Sequence, residues 1–260
     1  MNYSIIIPIY KEEKNISEVM KRVNKALNKK KIKYELIFID DDSRDNSAEV
    51  FKKHKKKNMK FFKRFEKPRD LSRSVYYGFN KAKYNNFIVM DGDLQHNPKD
   101  ILKLTYIFEK KNYDIVFGSR NFKSYKAVNL NPIRFYFSKI LNLIFNFLFN
   151  TDFNDPMSGF FIIKKKVFLQ SKKKLLLMGY KILIDIILST PKKLKIEEII
   201  INFKMRNQGF SKMRFKILLQ LILFLIIKYL KYEKIKKKLP KNIKNSFNSN
   251  KKIKLTWRNR

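Results

Sequence analysis

Two carboxylates two residues apart, Asp91 and Asp93, directly follow the apolar run Phe87-Ile88-Val89-Met90. At the end of a strand, side chains two residues apart point to the same side. The pair therefore makes a hard oxygen site suited to Mg²⁺ or Mn²⁺, and Gln95 can add an amide carbonyl oxygen. A bound diphosphate would supply the remaining ligands. The same residues also fit a plain Asp-Gly turn around Gly92, as short acidic motifs often do. A second acidic cluster, Asp40-Asp41-Asp42-Ser43, follows Ile37-Phe38-Ile39. A carboxylate there can accept hydrogen bonds from a nucleobase or ribose. Pro8, Tyr10 and Glu12 follow a third apolar run and would line the same edge. Each cluster alone is ordinary loop chemistry; three of them at neighbouring strand ends point to one site.

Such clusters need a frame that gathers strand ends. Tyr3 to Pro8, Tyr34 to Asp40, Met59 to Phe62, Asn86 to Asp91 and Asp114 to Gly118 read as buried strands. Between them, Glu12 to Leu27, Asp45 to Lys55, Leu71 to Ala82 and Pro98 to Lys110 carry apolar residues at helical spacing. Asn97-Pro98-Lys99-Asp100 supplies a capping Asn, a Pro at the first helical position and an acid in the first turn. This alternation predicts an α/β fold, a mainly parallel central sheet with helices on both faces. Ligands of such sheets bind beyond the carboxyl ends of the strands, where the clusters stand. Further on, Ser158 to Ile163 and Lys195 to Phe203 read as strands, with a helix over Tyr180 to Ser189.

The chain has 260 residues, room for one large α/β domain or two small ones. It contains no cysteine, which excludes disulfides, thiolate metal sites and a Cys nucleophile. The N-terminus shows no basic segment leading into a long apolar stretch, so a cytoplasmic catalytic domain is expected. Sixty Lys and Arg against 22 Asp and Glu give a net charge of +38. That charge permits a polyanionic partner, nucleic acid or an anionic membrane. It does not require one, because Lys, Asn, Ile and Phe all have AT-rich codons. A basic nucleic-acid-binding protein has no need of carboxylates at strand ends, which would repel a phosphate backbone. Nucleic acid is not an expected partner.

Two apolar stretches stand apart, Phe135 to Phe149 and Ile217 to Leu230. As a helix the second would be about 21 Å long, short of the roughly 30 Å hydrocarbon core. Its flanking Lys and Arg suit an amphipathic helix lying in a membrane interface; a core or oligomer-facing helix fits its length as well. From Glu233 the chain is rich in Lys and Asn and is expected to be a flexible tail. The expected organisation is a catalytic domain over residues 1–212, an interfacial helix over 213–232 and a basic tail over 233–260.

Ile7-Pro8-Ile9-Tyr10-Lys11-Glu12-Glu13, Asp40-Asp41-Asp42-Ser43-Arg44-Asp45 and Met90-Asp91-Gly92-Asp93-Leu94-Gln95-His96 resemble family 2 glycosyltransferases of the Rossmann-like GT-A fold. Gly118-Ser119-Arg120, Asp155-Pro156-Met157-Ser158-Gly159-Phe160-Phe161, Gly179-Tyr180-Lys181-Ile182-Leu183 and Arg206-Asn207-Gln208-Gly209-Phe210-Ser211-Lys212 are similar to the dolichyl- or polyprenyl-phosphate mannose synthase branch. The resemblance runs from about Tyr3 to Lys212. It implies that Pro8, Tyr10, Glu12, Ile39 and Asp41 hold the donor nucleoside. Asp91, Gly92, Asp93 and Gln95 would bind the metal and diphosphate. Arg120, Arg134 and Ser138 would receive the acceptor phosphate, and Lys181, Arg206 and Lys212 would close over the donor. The implied catalytic residues are Asp91, Asp93 and Arg120.

The implied reaction moves a hexose, favouring mannose from GDP-mannose, onto a polyprenyl or dolichyl phosphate with inversion, using Mg²⁺ or Mn²⁺. Its alternative is a glucosyltransferase or another UDP-sugar transferase of the same family. Gly92 stands where the family usually has Ala, and Gly209-Phe210-Ser211-Lys212 lacks the family's acid. Relatives often continue into transmembrane helices, whereas this chain offers Ile217 to Leu230. The expectation is therefore peripheral or shallow docking on the cytoplasmic side of a membrane, with or without a small membrane partner subunit.

Overall fold

The five apolar runs of the first half become strands because parallel strands are covered on both faces and so read as unbroken apolar sequence. In the computed structural model, which describes residues 1–28, 30–120, 132–201 and 215–238, these are β1 (Asn2–Ile9), β2 (Lys33–Asp40), β3 (Met59–Lys63), β4 (Asn86–Val89) and β5 (Ile115–Ser119). In β1 and β2 only the first residue is exposed. β6 (Phe161–Lys164) and β7 (Ile196–Ile200) complete a seven-stranded sheet in the order β3-β2-β1-β4-β6-β5-β7. Every pairing is parallel except those of β6 with β4 and β5. The carboxyl ends of β1, β2, β4 and β5 thus share one edge.

Helices α1 (Glu13–Asn28), α2 (Ser47–His54) and α4 (Asp100–Lys110) cover one face of the sheet. Ile16, Val19, Met20, Val23 and Leu27 form the buried stripe of α1 at helical spacing. The other face carries α3 (Leu71–Lys81), α5 (Pro132–Phe149), α6 (Lys165–Ser171), α7 (Ile182–Ser189) and part of α8 (Phe215–Lys238). The expected mainly parallel α/β sheet with helices on both faces is what the chain forms.

Differences lie at element ends. β4 stops at Val89, two residues before the expected Asp91; Met90 N still donates to Ile6 O, after which the chain turns. Asn97 Oδ1 accepts from Lys99 N at 3.1 Å, but the α-helix starts only at Asp100, with Lys99 and not Asn97 at its N-cap position. Ser158, Gly159 and Phe160, expected as the first residues of the strand, instead link a turn at Pro156-Met157 to β6. Residues 202 and 203 of the expected last strand lie outside the described residues, as does 239–260 of the expected tail; 233–238 continue α8.

α5 and α8 differ from the other helices in having apolar residues on both sides. Leu141, Phe145 and Phe149 of α5 and Leu221, Phe224 and Leu225 of α8 are in the core. Ile140, Leu143 and Phe147 of α5 and Ile222, Leu223, Ile226 and Leu230 of α8 are exposed. Among the described residues no helix is long and apolar enough to cross a membrane.

Candidate active site

Asp91 leaves the sheet at the end of β4, and the chain turns back through Leu94 at a φ of 62°. Asp93 is buried and accepts from Gln95 N at 3.1 Å, so its own turn fixes its carboxylate. Gly159 approaches from the segment between the Pro156-Met157 turn and β6: a Cβ there would lie 2.8 Å from Asp91 Oδ2. Gly92 is equally confined, since a Cβ would meet Ile9 Cγ2 at 2.8 Å and Ile7 Cγ2 at 3.3 Å. The residue that replaces the family's Ala is thus matched by side chains of β1 closing over it.

Arg120 follows β5 and is braced by Asp155. Its Nε donates to Asp155 Oδ2 at 2.6 Å, its Nη2 to Oδ1 at 2.9 Å, and its backbone N to Oδ2 at 3.3 Å. Burial alone would lower the arginine's pKa; Asp155 and the nearby Asp91 outweigh it and raise it. The Arg120 side chain as a whole is still about one-fifth exposed. His96 lies between the two groups. It stacks on Phe160 with ring centres 5.0 Å apart and interacts with Asp93, Arg120 and Asp155. Burial pushes its pKa down to about 4, so it is neutral near pH 7.

The ends of β1 and β2 are tied by Asp41 N donating to Ile9 O at 3.0 Å and Lys11 N to Ser43 Oγ at 2.9 Å. Pro8 and Ile39 are buried register partners beneath this junction. Asp41 is buried against Arg64 at 2.5 Å and accepts from Asp70 N at 2.8 Å. Its pKa is raised, burial outweighing the pull of Arg64 and the Asp70 N–H. Asp42 is buried to a similar degree, with Arg69 at 2.8 Å and Lys67 at 2.9 Å, and these cations hold its carboxyl far below the usual range. Arg69 also donates to Tyr10 Oη at 3.1 Å and lies over the Tyr10 ring. Glu12 accepts from Asn15 Nδ2 at 2.7 Å at the start of α1.

Lys181 stands at the N-cap position of α7, without a side-chain capping bond and with 4 % of its surface exposed. Its Nζ is buried and finds no hydrogen-bond partner among the described residues. Burial lowers its pKa to about 8 despite the opposing pull of Asp70. Asp70 in turn accepts from Gly179 N at 2.5 Å, just ahead of the lysine. Ser138 is half-buried on α5. Arg134 lies in the first turn of α5 with its side chain outside the described residues, and Arg206 and Lys212 are outside them altogether.

Two carboxylates and an amide oxygen make a donor set for a hard cation with a preference for oxygen. Among the described residues no group of three His, Cys, Asp or Glu side chains could hold a metal ion unaided. A partial set of this kind suits Mg²⁺ or Mn²⁺ when a diphosphate provides other ligands. The residues present fit such an ion.

Residues 4–170 match the family model described as Glycosyl transferase family 2. The chain belongs to that family. Within the family it is 35% identical over 218 residues to a dolichol-phosphate mannosyltransferase of Pyrococcus furiosus, covering 83% of this chain and 60% of that one. It therefore spans less than two thirds of that relative's length. The dolichol-phosphate mannosyltransferase of Saccharomyces cerevisiae is 30% identical over 239 residues, covering 85% of this chain and 84% of its own. Among solved structures, glucosyl-3-phosphoglycerate synthase of Mycobacterium tuberculosis in complex with phosphoglyceric acid superposes with a TM-score of 0.66 at 14% identity, covering 89% and 79% of the two chains. The same enzyme with Mn²⁺, UDP-glucose and phosphoglyceric acid gives 0.64. These likenesses show the fold of the family.

Several residues around the site escape a reading of the sequence. Asp155 belongs to the Asp155-Pro156-Met157-Ser158-Gly159 motif, but nothing in its spacing ties it to Arg120, 35 positions away. Arg64 and Arg69 were hidden among the chain's many cations. Glu198, which holds the Asn154-Asp155 segment, had one available signal: an acid on the inward side of an apolar strand.

Proposed function

We propose that this family member transfers mannose from GDP-mannose to the phosphate of a polyprenyl or dolichyl phosphate, with inversion and with a divalent metal, at the cytoplasmic face of a membrane. One observation carries the reading: the Asp91–Asp93 pair and the Asp155-braced Arg120 meet at one edge of the sheet. The archaeal and yeast relatives, both dolichol-phosphate mannosyltransferases, support the lipid-phosphate acceptor.

The chemistry follows from charge. A phosphate monoester has its second pKa near 6, so the acceptor is mostly ionised at pH 7 and needs little help from a base. Bringing it to a donor diphosphate is the harder problem, because both are anions. A bound Mg²⁺ or Mn²⁺ would neutralise the leaving diphosphate. Arg120 offers the acceptor a planar donor fork, oriented by Asp155. Arg134 and Ser138 are assigned to the same phosphate. Lys181 is assigned to the donor diphosphate, which would supply the partner its buried ammonium needs. Pro8, Tyr10, Glu12, Ile39 and Asp41 are assigned to the nucleoside, and Gln95 to the metal. Arg206 and Lys212 close the donor site in this reading.

The test is transfer of radiolabelled sugar from GDP-mannose, and separately from UDP-glucose, into extractable polyprenyl phosphate, with and without Mn²⁺. Metal-dependent mannose transfer is expected. Glucose transfer alone would overturn the donor assignment and leave the acceptor chemistry standing; transfer without any divalent ion would remove the metal from the reading.

A further inference from the structure

β7 carries two adjacent acids that the pleat sends to opposite faces. Glu197 is half-buried and accepts from Tyr113 Oη at 2.6 Å. Glu198 has no exposed surface at all. A carboxylate buried this way must have its oxygens matched by donors. Oε1 accepts from Asp155 N at 2.8 Å, and Oε2 accepts from Asn154 N at 2.9 Å and Asn154 Nδ2 at 3.0 Å. All three donors come from two consecutive residues, and the second of them is the brace of Arg120.

The arrangement is costly to maintain. Glu198 is buried close to a second carboxylate, Asp155, and both circumstances push its carboxyl up. A segment that only needed anchoring could be held by main-chain carbonyls. The same segment is also gripped from the far side: Asn142 Nδ2 donates to Asn154 O at 2.5 Å, and Asn146 donates to Phe153 O at 2.8 Å and accepts from Phe153 N at 3.1 Å. Residues 153–155 are thus fixed between β7 and α5, with the Asp155 side chain turned to Arg120. A side-on fork through Nε and Nη2 sets both the plane and the direction of the guanidinium.

We infer that Glu198 is a positioning residue for the acceptor phosphate, acting through Asn154 and Asp155 on Arg120. This rests on the proposed reading that Arg120 receives that phosphate. Losing the acid lets Asp155 rotate, and the guanidinium loses its alignment while the Asp91–Asp93 side of the site stays in place. The specific consequence is a loss of lipid-phosphate affinity without a matching loss on the donor side.

The experiment uses the full chain with Glu198→Gln, Asn154→Ala and Arg120→Ala. Gln keeps the shape of Glu198 but turns an NH₂ group toward an N–H donor; Asn154→Ala removes one of the three bonds and keeps both backbone ones. Initial rates are measured against polyprenyl phosphate and against sugar nucleotide, and binding of GDP with Mn²⁺ is followed by calorimetry. Glu198→Gln is expected to raise KM for polyprenyl phosphate about tenfold, with GDP affinity changed less than twofold. Asn154→Ala should move the same parameter in the same direction by a smaller factor, and it carries the test if Glu198→Gln does not fold. Unchanged acceptor KM in both, beside a large rise in Arg120→Ala, would overturn the inference and leave the acceptor reading intact. Equal losses toward donor and acceptor, or failure of both variants to fold, would make Glu198 a general support and overturn it too. No acceptor effect in Arg120→Ala would remove the reading beneath it.

Discussion

Gly159 lies directly against Asp91, and the contact makes a sharp test of where that carboxylate works. A methyl group on Gly159 would come within 2.8 Å of Oδ2 and 3.0 Å of Oδ1, so Gly159→Ala must displace the carboxylate. Misplacing a reacting group by about 1 Å can cost roughly a hundredfold in rate. We expect a loss of that order in transfer with a thermal midpoint near wild type; full activity would take Asp91 out of the machinery. Lys181 supports a second test. Its pKa is lowered to about 8, so the free protein begins to lose the ammonium just above neutrality. A diphosphate favours the protonated form, and affinity is therefore complete below about pH 8 and falls as pH rises beyond it. A phosphate's last proton titrates near pH 6, so the diphosphate is almost fully ionised before the window in which Lys181 titrates. Titration calorimetry of GDP from pH 7 to 9.5 should show the decline, and Lys181→Met should flatten it. An identical slope in the variant would assign the titration elsewhere.

α3 shows how an element joins two parts of the site. Its N-cap is Asp70, whose Oδ1 accepts from Ser72 N at 2.8 Å and whose Oδ2 accepts from Gly179 N at 2.5 Å. Ser72 returns the link by donating from N and Oγ to Gly179 O. One side chain therefore starts a helix and fixes the turn that leads to Lys181. Removing a cap costs about 1 kcal/mol, and orphaning a partly buried N–H adds about 1–3 kcal/mol. Asp70→Ala should lower unfolding free energy by about 2–4 kcal/mol in urea titration; a loss below about 0.5 kcal/mol would show that water replaces both bonds. The same element shows what a sequence can convey. Its apolar spacing marked the helix to within a residue, and the doubly covered strands beside it read as unbroken apolar runs. α6 had no such signal, because Lys165 and Lys166 mask a single buried turn at Val167 and Phe168. For the site, Asp91 and Asp93 were legible since both carboxylates fall at one strand end. Asp155 and Glu198 were not, because their partners are brought together only when β5, β6 and β7 pair. The antiparallel placement of β6 likewise follows from which strands meet, not from its own residues.

The arrangement of α5 and α8 bears on how the whole molecule would meet the proposed lipid substrate. Phe147 is 87% exposed, and Leu143, Ile140 and Tyr136 extend the stripe at spacings of three and four. α8 lies against α5, with Phe149 and Tyr229 in ring contact, and shows Ile222, Leu223, Ile226 and Leu230 to the outside. Removing α8 would be a poor test of docking. Its Lys228 is buried, pairing with Asp185 at 2.5 Å and donating to Ser189 Oγ at 2.6 Å, so deletion would leave a buried acid unpaired and open the core. Exposed positions avoid that problem. Burying a Leu or Phe side chain contributes about 1.5–3 kcal/mol, so two of them are worth at least about a hundredfold in partitioning. Leu143→Asp with Phe147→Asp should therefore weaken co-sedimentation with vesicles of mixed neutral and anionic lipids by that factor, while the thermal midpoint stays near wild type. Salt separates the contributions. With a net charge of +38, a purely electrostatic attachment would be lost at about 0.5 M salt, where charges beyond a few ångströms are screened. Wild-type binding that persists there, together with its loss in the double variant, assigns the docking energy to the apolar stripe of α5. Undiminished binding by the variant would move docking to α8 or to charge alone, and the salt series would tell which.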